Sequence, residues 1–398
     1  VNLADHPEEK RALRINFSKH GNARPFQQGG WSRPEGGHTW STGTESVMEI
    51  PCPEFRRRCI FYLSGWPHTQ PDLLPSQRIH MTVNGVRVAR LTMTKNQTLV
   101  GGIPRRTLQG CTALKIELHH PDAARPSSFP NGNALDTRAL AVSYKELLIE
   151  ELDPDAARLS VQIRAALKKP PAERSFVTAP ALKLEQAKTE TAQFLPNFQS
   201  LGDDCEFGIV QREAGVDPLG LFRFCLVSLT NVTNGIIRDF AGIADEDHFE
   251  IVEYTHDAAH DYMGRENTYG MLYHTRRYPG KDDPNVLKTQ EMQRLKFMAR
   301  KFLEDIELPD RIFVAKRKQG LAPDEIAKLL ALLHRRGQSQ LLWVSEAPPG
   351  IAPGSAERLA EKLVAAYVDR IDVAPLKDVS VESWITACRS AWALLGNK

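Results

Sequence analysis

No long apolar run, no nucleotide-binding glycine pattern and no Cys-x-x-Cys pair occur in this chain of 398 residues. Each absence removes a class of protein. A bilayer-crossing helix needs about 20 consecutive apolar residues, and no stretch approaches that, so no membrane span is expected. The opening residues Val1-Asn2-Leu3-Ala4-Asp5-His6 hold no apolar leader core. Gly-x-Gly-x-x-Gly and P-loop signatures are missing, so no nucleotide cofactor is expected. The six cysteines form neither a disulfide framework nor a zinc-finger pattern. Read as free thiols they favour a reducing compartment, and the expected location is cytoplasmic. Charge of one sign is lacking too: 51 Lys and Arg against 49 Asp and Glu leave +2, which argues against nucleic acid or an anionic membrane as partner. The short cluster Arg56-Arg57-Arg58 reads as a solvated turn.

What is present is ordinary globular material, 41% hydrophobic and 25% charged, in a chain long enough for more than one core. Residues 29–152 alternate in period two through short runs such as Cys59-Ile60-Phe61-Tyr62-Leu63 and Arg78-Ile79-His80-Met81-Thr82-Val83. Asn84-Gly85 is a strong type I′ hairpin signal. Many short strands without helical periodicity predict a β-sandwich, in particular a jelly roll. Residues 153–196 are punctuated by Pro154, Pro170-Pro171 and Pro180 and carry two helical runs, 155–168 and 181–194; they read as a linker. From residue 197 strands and helices alternate. Strands are expected at 198–201, 221–227, 249–254, 269–275, 311–315, 340–344 and 370–373. Helices are expected at 205–214, 231–240, 288–306, 323–336, 354–367 and 380–395. That order predicts an α/β domain with a largely parallel sheet over 197–398.

The chemistry-bearing stretch is Ser200-Leu201-Gly202-Asp203-Asp204-Cys205-Glu206-Phe207-Gly208. An apolar run meets a Gly-Asp-Asp turn, and Cys205 opens a helix capped by Asp203 or Asp204, with Glu206 in its first turn. A thiol at a helix N-terminus gains from the local positive potential, while two adjacent aspartates oppose it, so a reactive Cys205 needs a cationic partner. His256, His260 and His274 are the downstream candidates. His274 ends the apolar run Tyr269-Gly270-Met271-Leu272-Tyr273, and Asp257, Asp261 or Glu346 are the carboxylates available to orient it. Glu346 is carried forward as the third catalytic candidate. His256 and His260 have the i,i+4 spacing of a helical metal pair, but no third ligand follows, and a polar loop is the better reading; no metal is expected. The alternative for Cys205 is a small buried cysteine packed beneath a turn.

The same motif, with Gln211-Arg212 and Pro218-Leu219-Gly220-Leu221-Phe222-Arg223-Phe224, resembles a bacterial family catalogued as papain-like cysteine peptidases, over residues 197 to the C-terminus. That family often occurs in genomic settings linked to surface polysaccharides. The resemblance implies Cys205 as nucleophile and His274 as base, although family members often carry Asp after the histidine where Thr275 stands here. Asp203, Asp204, Glu206 and Arg223 are then expected around the substrate, with helix-start N–H groups as the oxyanion hole. A second resemblance rests on Gly30-Trp31-Ser32-Arg33-Pro34-Glu35, Trp40-Ser41-Thr42-Gly43, Val83-Asn84-Gly85 and Asp136-Thr137-Arg138-Ala139-Leu140. These are similar to carbohydrate-binding-module-like jelly rolls attached to bacterial glycosyltransferases and other surface-glycan proteins. Ala139-Leu140-Ala141 departs from the Leu-Gly usual after Asp-x-Arg.

Read as residues, Trp31, Trp40 and Trp66 offer faces for sugar stacking, and Glu35, Asp136 and Arg138 offer hydrogen bonds. Core packing of the indoles and an ion pair between Asp136 and Arg138 is the competing reading. The combined expectation is a cysteine-dependent hydrolase or acyl transferase of surface-polysaccharide biosynthesis or modification. Its expected partners are a glycan or glycoconjugate and associated glycosyltransferases. Cys205 is expected to be more acidic than the other five cysteines because of His274. The rival is a non-catalytic glycan-binding or scaffolding protein with a structural cysteine.

Overall fold

The computed structural model describes residues 12–130, 132–180, 184–256, 259–372, 376 and 378–396. The chain divides into two compact units, Val1–Arg158 and Leu159–Lys398.

The first unit holds strands β1 (Ala12–Asn16), β2 (Gln27–Gly29), β3 (Thr39–Thr42), β4 (Glu45–Pro51), β5 (Cys59–Pro67), β6 (Gln77–Val83), β7 (Val86–Met93), β8 (Gln97–Ile103), β9 (Ala113–His119) and β10 (Leu140–Glu151), with a short α-helical turn, α1 (Arg105–Leu108). One five-stranded sheet runs β1-β10-β5-β8 with β3 also on β10; the other runs β2-β4-β9-β6-β7. Every pairing is antiparallel. Alternate residues of facing strands make the core: Ile15, Phe61, Leu63, Leu147 and Ile149 from the first sheet meet Met48, Ile50, Ile79, Met81, Leu114 and Ile116 from the second. Each is worth about 1.5–3 kcal/mol in transfer from water, which makes the period-two pattern decisive for register. At the Asn84-Gly85 turn both residues have positive φ, 47° and 74°, as a I′ hairpin requires. This β-sandwich starts earlier than the expected residue 29, because β1 and β2 belong to its sheets.

α2 (Pro154–Lys168) crosses the division in sequence. Its Ile163 joins the second unit's core, and Ser160 and Arg164 bond Asp324. β11 (Val177–Thr178), α3 (Leu184–Phe194), β12 (Phe198–Ser200), α4 (Glu206–Glu213) and α5 (Leu229–Ile237) follow. Next come β13 (Phe249–His256), β14 (Ala259–Glu266), β15 (Met271–His274), α6 (Pro284–Glu307), β16 (Ile312–Lys316), α7 (Pro323–Arg336) and β17 (Gln340–Glu346). β18 (Ser355–Ala360), β19 (Leu363–Val368) and α8 (Val381–Leu395) close the chain. The stretch 153–196 thus carries structure of the second unit for most of its length.

A six-stranded mixed sheet runs β11-β18-β19-β17-β16-β12. Pairings among β12, β16, β17 and β19 are parallel, and β18 is antiparallel to both of its neighbours. Both faces are covered, which explains the unbroken apolar runs. Phe313 and Ala315 of β16 enter a core with residues of α5, α6 and α7, while Ile312 and Val314 enter another with Phe207 of α4 and Trp384 and Ile385 of α8. β13, β14 and β15 form a separate antiparallel sheet.

Three expected elements differ. Residues 354–367, read as a helix, form the β18–β19 hairpin. Their Ala, Leu and Lys content favours helix, but pairing of β19 with β17 overrides propensity, and Lys362 takes φ 57° at the turn. Residues 221–227, read as a strand, form turns, and only Leu226 bridges Leu272. Residues 370–372 lie in no ladder, and Val373 lies outside the described residues. The polar loop expected around residue 260 is instead the start of β14, while Asp257 and the side chain of His256 lie outside the described residues.

Candidate active site around Cys205

The chain leaves the buried strand β12 and must reverse within a few residues to start α4. Gly202 at φ 89° and Asp203 at φ 77° make that reversal, and a Cβ on Gly202 would sit 2.2 Å from Val227 Cγ1. Cys205 takes the N-cap position of α4. Asp204 Oδ1 accepts from Glu206 N at 2.8 Å, so this helix-start N–H is engaged and does not serve the expected oxyanion hole.

The two aspartates and Glu206, expected around substrate, turn instead to a lysine that sequence reasoning missed. Lys316 ends β16 beside β12, with a side chain 1% exposed, and its Nζ lies 2.5 Å from Asp204 Oδ1, 3.0 Å from Glu206 Oε2 and 3.8 Å from Asp203 Oδ2. Glu206 Oε1 also accepts from Asp372 N at 2.9 Å and Trp384 Nε1 at 3.2 Å. Burial pushes the Glu206 carboxyl up against the pull of Lys316. Burial opposes charge on Lys316 as well, yet Asp204, Glu206 and Asp203 hold its pKa above the usual lysine value. The cluster fixes the turn that carries Cys205. Arg223 is likewise structural. It is buried, bonds Asp217, and donates to Val216 O at 3.1 Å and Pro218 O at 3.2 Å, tying the 216–224 loop down beside α4. Glu346 pairs with Lys318 and accepts from Ile371 N at 2.9 Å.

Cys205 lines a cleft of about 1400 Å³ whose wall also includes Tyr254, Asp261, His274 and Arg276. The sheet register assembles the opposite side. His274 on β15 stands across from Met263 on β14, two residues from Asp261, and Tyr254 on β13 stands across from Asp261. Residues opposite, or offset by two, share one face. His274 Nδ1 accordingly lies 2.9 and 3.1 Å from the two Asp261 oxygens, with the Tyr254 ring edge-on at 5.2 Å. The carboxylate on His274 is therefore Asp261, not Glu346.

The expectation that His274 makes Cys205 the more acidic cysteine is corrected in its cause, because His274 is not among the groups that shift the thiol. Burial first, and Asp204 second, push its thiol up to about 11 against Lys316, Arg276 and Arg212. Cys52 reaches about 12 by burial and its neighbour Cys111, and burial drives Cys59, Cys225 and Cys388 higher still. Cys205 is thus lower than those four but is not a resting thiolate. No hydrogen bond joins its sulfur to His274 among the described residues.

In the first unit the indoles separate by role. Trp31 stacks on Phe17 at 5.3 Å and donates to Val47 O at 2.8 Å, so it packs at the core edge. Trp40 and Trp66 both stand opposite Ser143 and share one half-buried face, with centroids 6.3 Å apart. His38 lies against Trp66 at 4.6 Å, and Lys145 Nζ lies 5.1 Å over that ring. Arg138 bridges Asp136 at 2.7 Å and Glu35 at 2.7 Å. Ser143 Oγ and His68 Nε2 are buried there without a hydrogen-bond partner.

The second unit is thus an α/β scaffold presenting a thiol and a carboxylate-held imidazole on one cleft; the first is an antiparallel sandwich with an aromatic face. No family model matches the chain, and no curated protein matches it. Among solved structures it is similar to the C-terminal CBM6 of LamC, a marine laminarinase from Zobellia galactanivorans, at 10% identity over 35% of this chain and 99% of that one, TM-score 0.23. It is also similar to the CBM36-1 domain of a multidomain xylanase from the hindgut metagenome of Trinervitermes trinervoides, at 11% identity over 36% and 98%, TM-score 0.23. A third is BtGH115A, a family GH115 4-O-methyl-alpha-glucuronidase with specificity for decorated arabinogalactans, at 8% identity over 38% of this chain and 18% of that enzyme, TM-score 0.25. Likenesses of this degree assign no function.

Proposed function

We propose that the second unit is a cysteine-dependent hydrolase or acyl transferase, and that the first binds carbohydrate through its Trp40–Trp66 face. The observation that carries the catalytic reading is the placement of Cys205 and His274 on one cleft with Asp261 on His274 Nδ1. A carboxylate at Nδ1 holds the proton there and leaves Nε2 as the base. Because the thiol rests neutral, His274 acts as a general base in the step rather than as half of a preformed ion pair. Sγ attacks the acyl carbonyl as Nε2 takes the thiol proton; the tetrahedral adduct then collapses to a thioester as Nε2–H donates that proton to the departing group. Water or an acceptor hydroxyl then attacks the thioester, giving up its proton to Nε2, and the thiol is restored. The motif resemblance sets this chemistry among surface glycans, and the free thiols suit a reducing compartment.

A second reading has an observation of its own: the raised thiol pKa and the absence of a Cys205–His274 hydrogen bond suit a structural cysteine in a glycan-binding protein. Ester and thioester turnover across acylated sugars separates the two. The catalytic reading expects a rate abolished by Cys205→Ser and reduced about 10²-fold or more by His274→Ala. Glycan binding without any Cys205-dependent turnover establishes the rival.

A further inference from the structure

Among the described residues, the charged groups on the cleft wall do not balance. Its described acidic residues are Asp217, Asp261 and Glu291, and each already meets a basic side chain: Asp217 bonds Arg223, Asp261 holds His274, and Glu291 lies 2.7 Å from Arg294. Of the four wall arginines, Arg294 is paired in this way and Arg277 reaches Asp282 at 3.6 Å. Arg212 and Arg276 meet no carboxylate among the described residues; Arg212 only flanks the Phe224 ring at 5.5 Å. Both are exposed to the cleft, and both act electrostatically on the Cys205 sulfur. Arg276 also takes φ 56°, a left-handed backbone that costs a non-glycine residue about 1 kcal/mol or more. That strained residue comes directly after β15 and Thr275, so the turn that ends the His274 strand also delivers a guanidinium to the cleft.

We infer that the cleft takes an anionic ligand, with Arg212 and Arg276 gripping a carboxylate or phosphoryl group beside the carbon that Cys205 attacks. A guanidinium offers planar paired donors that match either oxyanion, and a cleft of one net sign concentrates ligands of the other. The substrate class is accordingly an acyl compound that bears a carboxylate or phosphoryl group rather than a neutral one. This rests on the reading of Cys205 as the reacting group, but its test does not need turnover.

The test compares alkylation of Cys205 in the full chain by iodoacetate, an anion, with alkylation by neutral iodoacetamide, followed by peptide mass analysis. Both reagents react with the thiolate, so the ratio of rates cancels thiol acidity and reports attraction of the anion. A ratio about 10-fold above that of a free small-molecule thiol is expected at low salt, collapsing in Arg212→Gln/Arg276→Gln and in high salt. A wild-type ratio equal to that of the free thiol, or one unmoved by the double variant, overturns the inference. Since both arginines are exposed, the variant's thermal melt checks folding, and the salt series on wild type stands independently of it. Protection from iodoacetamide by glucuronate alone assigns a carboxylate, and by inorganic phosphate alone a phosphoryl group; protection by neither overturns the inference. Loss of turnover with the ratio intact would strike the catalytic reading only.

Discussion

Replacing Lys316 by Met removes the cation that the buried carboxylates of Asp204 and Glu206 share, while keeping most of the length and the apolar stem of the side chain. The lysine side chain is 1% exposed, Glu206 0% and Asp204 10%, so water cannot take over the lost contacts at 2.5 and 3.0 Å. Breaking a buried pair on one side costs about 3–5 kcal/mol, because the orphaned charge stays desolvated. At about 2–4 °C per kcal/mol for a unit of this size, the second unit's melting temperature falls by on the order of 10 °C. The pH dependence has a definite sign. Glu206 is already held above the usual carboxylate range by burial, and losing Lys316 raises it further. A group with a raised folded pKa stabilises the fold below its unfolded value, about 4.3, and loses that contribution as pH rises through the folded value. The Lys316→Met penalty is therefore largest at neutral pH and shrinks on acidification. In the wild type the raised Lys316 pKa places loss of its contribution above about pH 10.4. Urea denaturation followed by circular dichroism across pH measures both trends. A penalty under about 1 kcal/mol at neutral pH, or one that grows on acidification, would mean that Lys316 does not hold these buried carboxylates in the charged state.

Two further outcomes follow from particular contacts. Trp31→Ala should cost about 3 kcal/mol of first-unit stability with any glycan binding retained in the folded fraction, whereas Trp40→Ala or Trp66→Ala should abolish binding at small cost in stability, as read by calorimetry and thermal melts. Cys52 and Cys111 sulfurs lie 2.7 Å apart, so oxidised glutathione should join this pair by thiol–disulfide exchange, two thiol hydrogens passing to reduced glutathione; peptide mapping that finds any other pair joined first contradicts the geometry.

Local signals in the sequence were legible where one element determined them. The Asn84-Gly85 turn, the period-two strands of the sandwich and the amphipathic runs at 288–306 and 323–336 correspond to β6–β7, α6 (Pro284–Glu307) and α7 (Pro323–Arg336). What depended on register was not legible. Asp261 stood among three candidate carboxylates because only the β14–β15 offset places it on His274. Lys316 reads as one more charged residue at a strand end, and only parallel pairing of β12 with β16 brings it to the Asp203-Asp204 turn. Strand pairing also decided the 354–367 segment, whose composition favours helix. The division of labour among Trp31, Trp40 and Trp66 required knowing that Trp40 and Trp66 share Ser143 as cross-strand neighbour.

In the proposed mechanism Cys205 attacks an acyl group with His274 as its base. Single-turnover acylation by a p-nitrophenyl ester, with the modified cysteine located by peptide mass analysis, tests it most directly. The expected result is an acyl group on Cys205, formed about 10²-fold or more slowly in His274→Ala, restored in part by added imidazole, and slowed to a lesser degree in Asp261→Asn. Acylation of Cys205 at the same rate in wild type and His274→Ala, or acylation of another cysteine in its place, would contradict it.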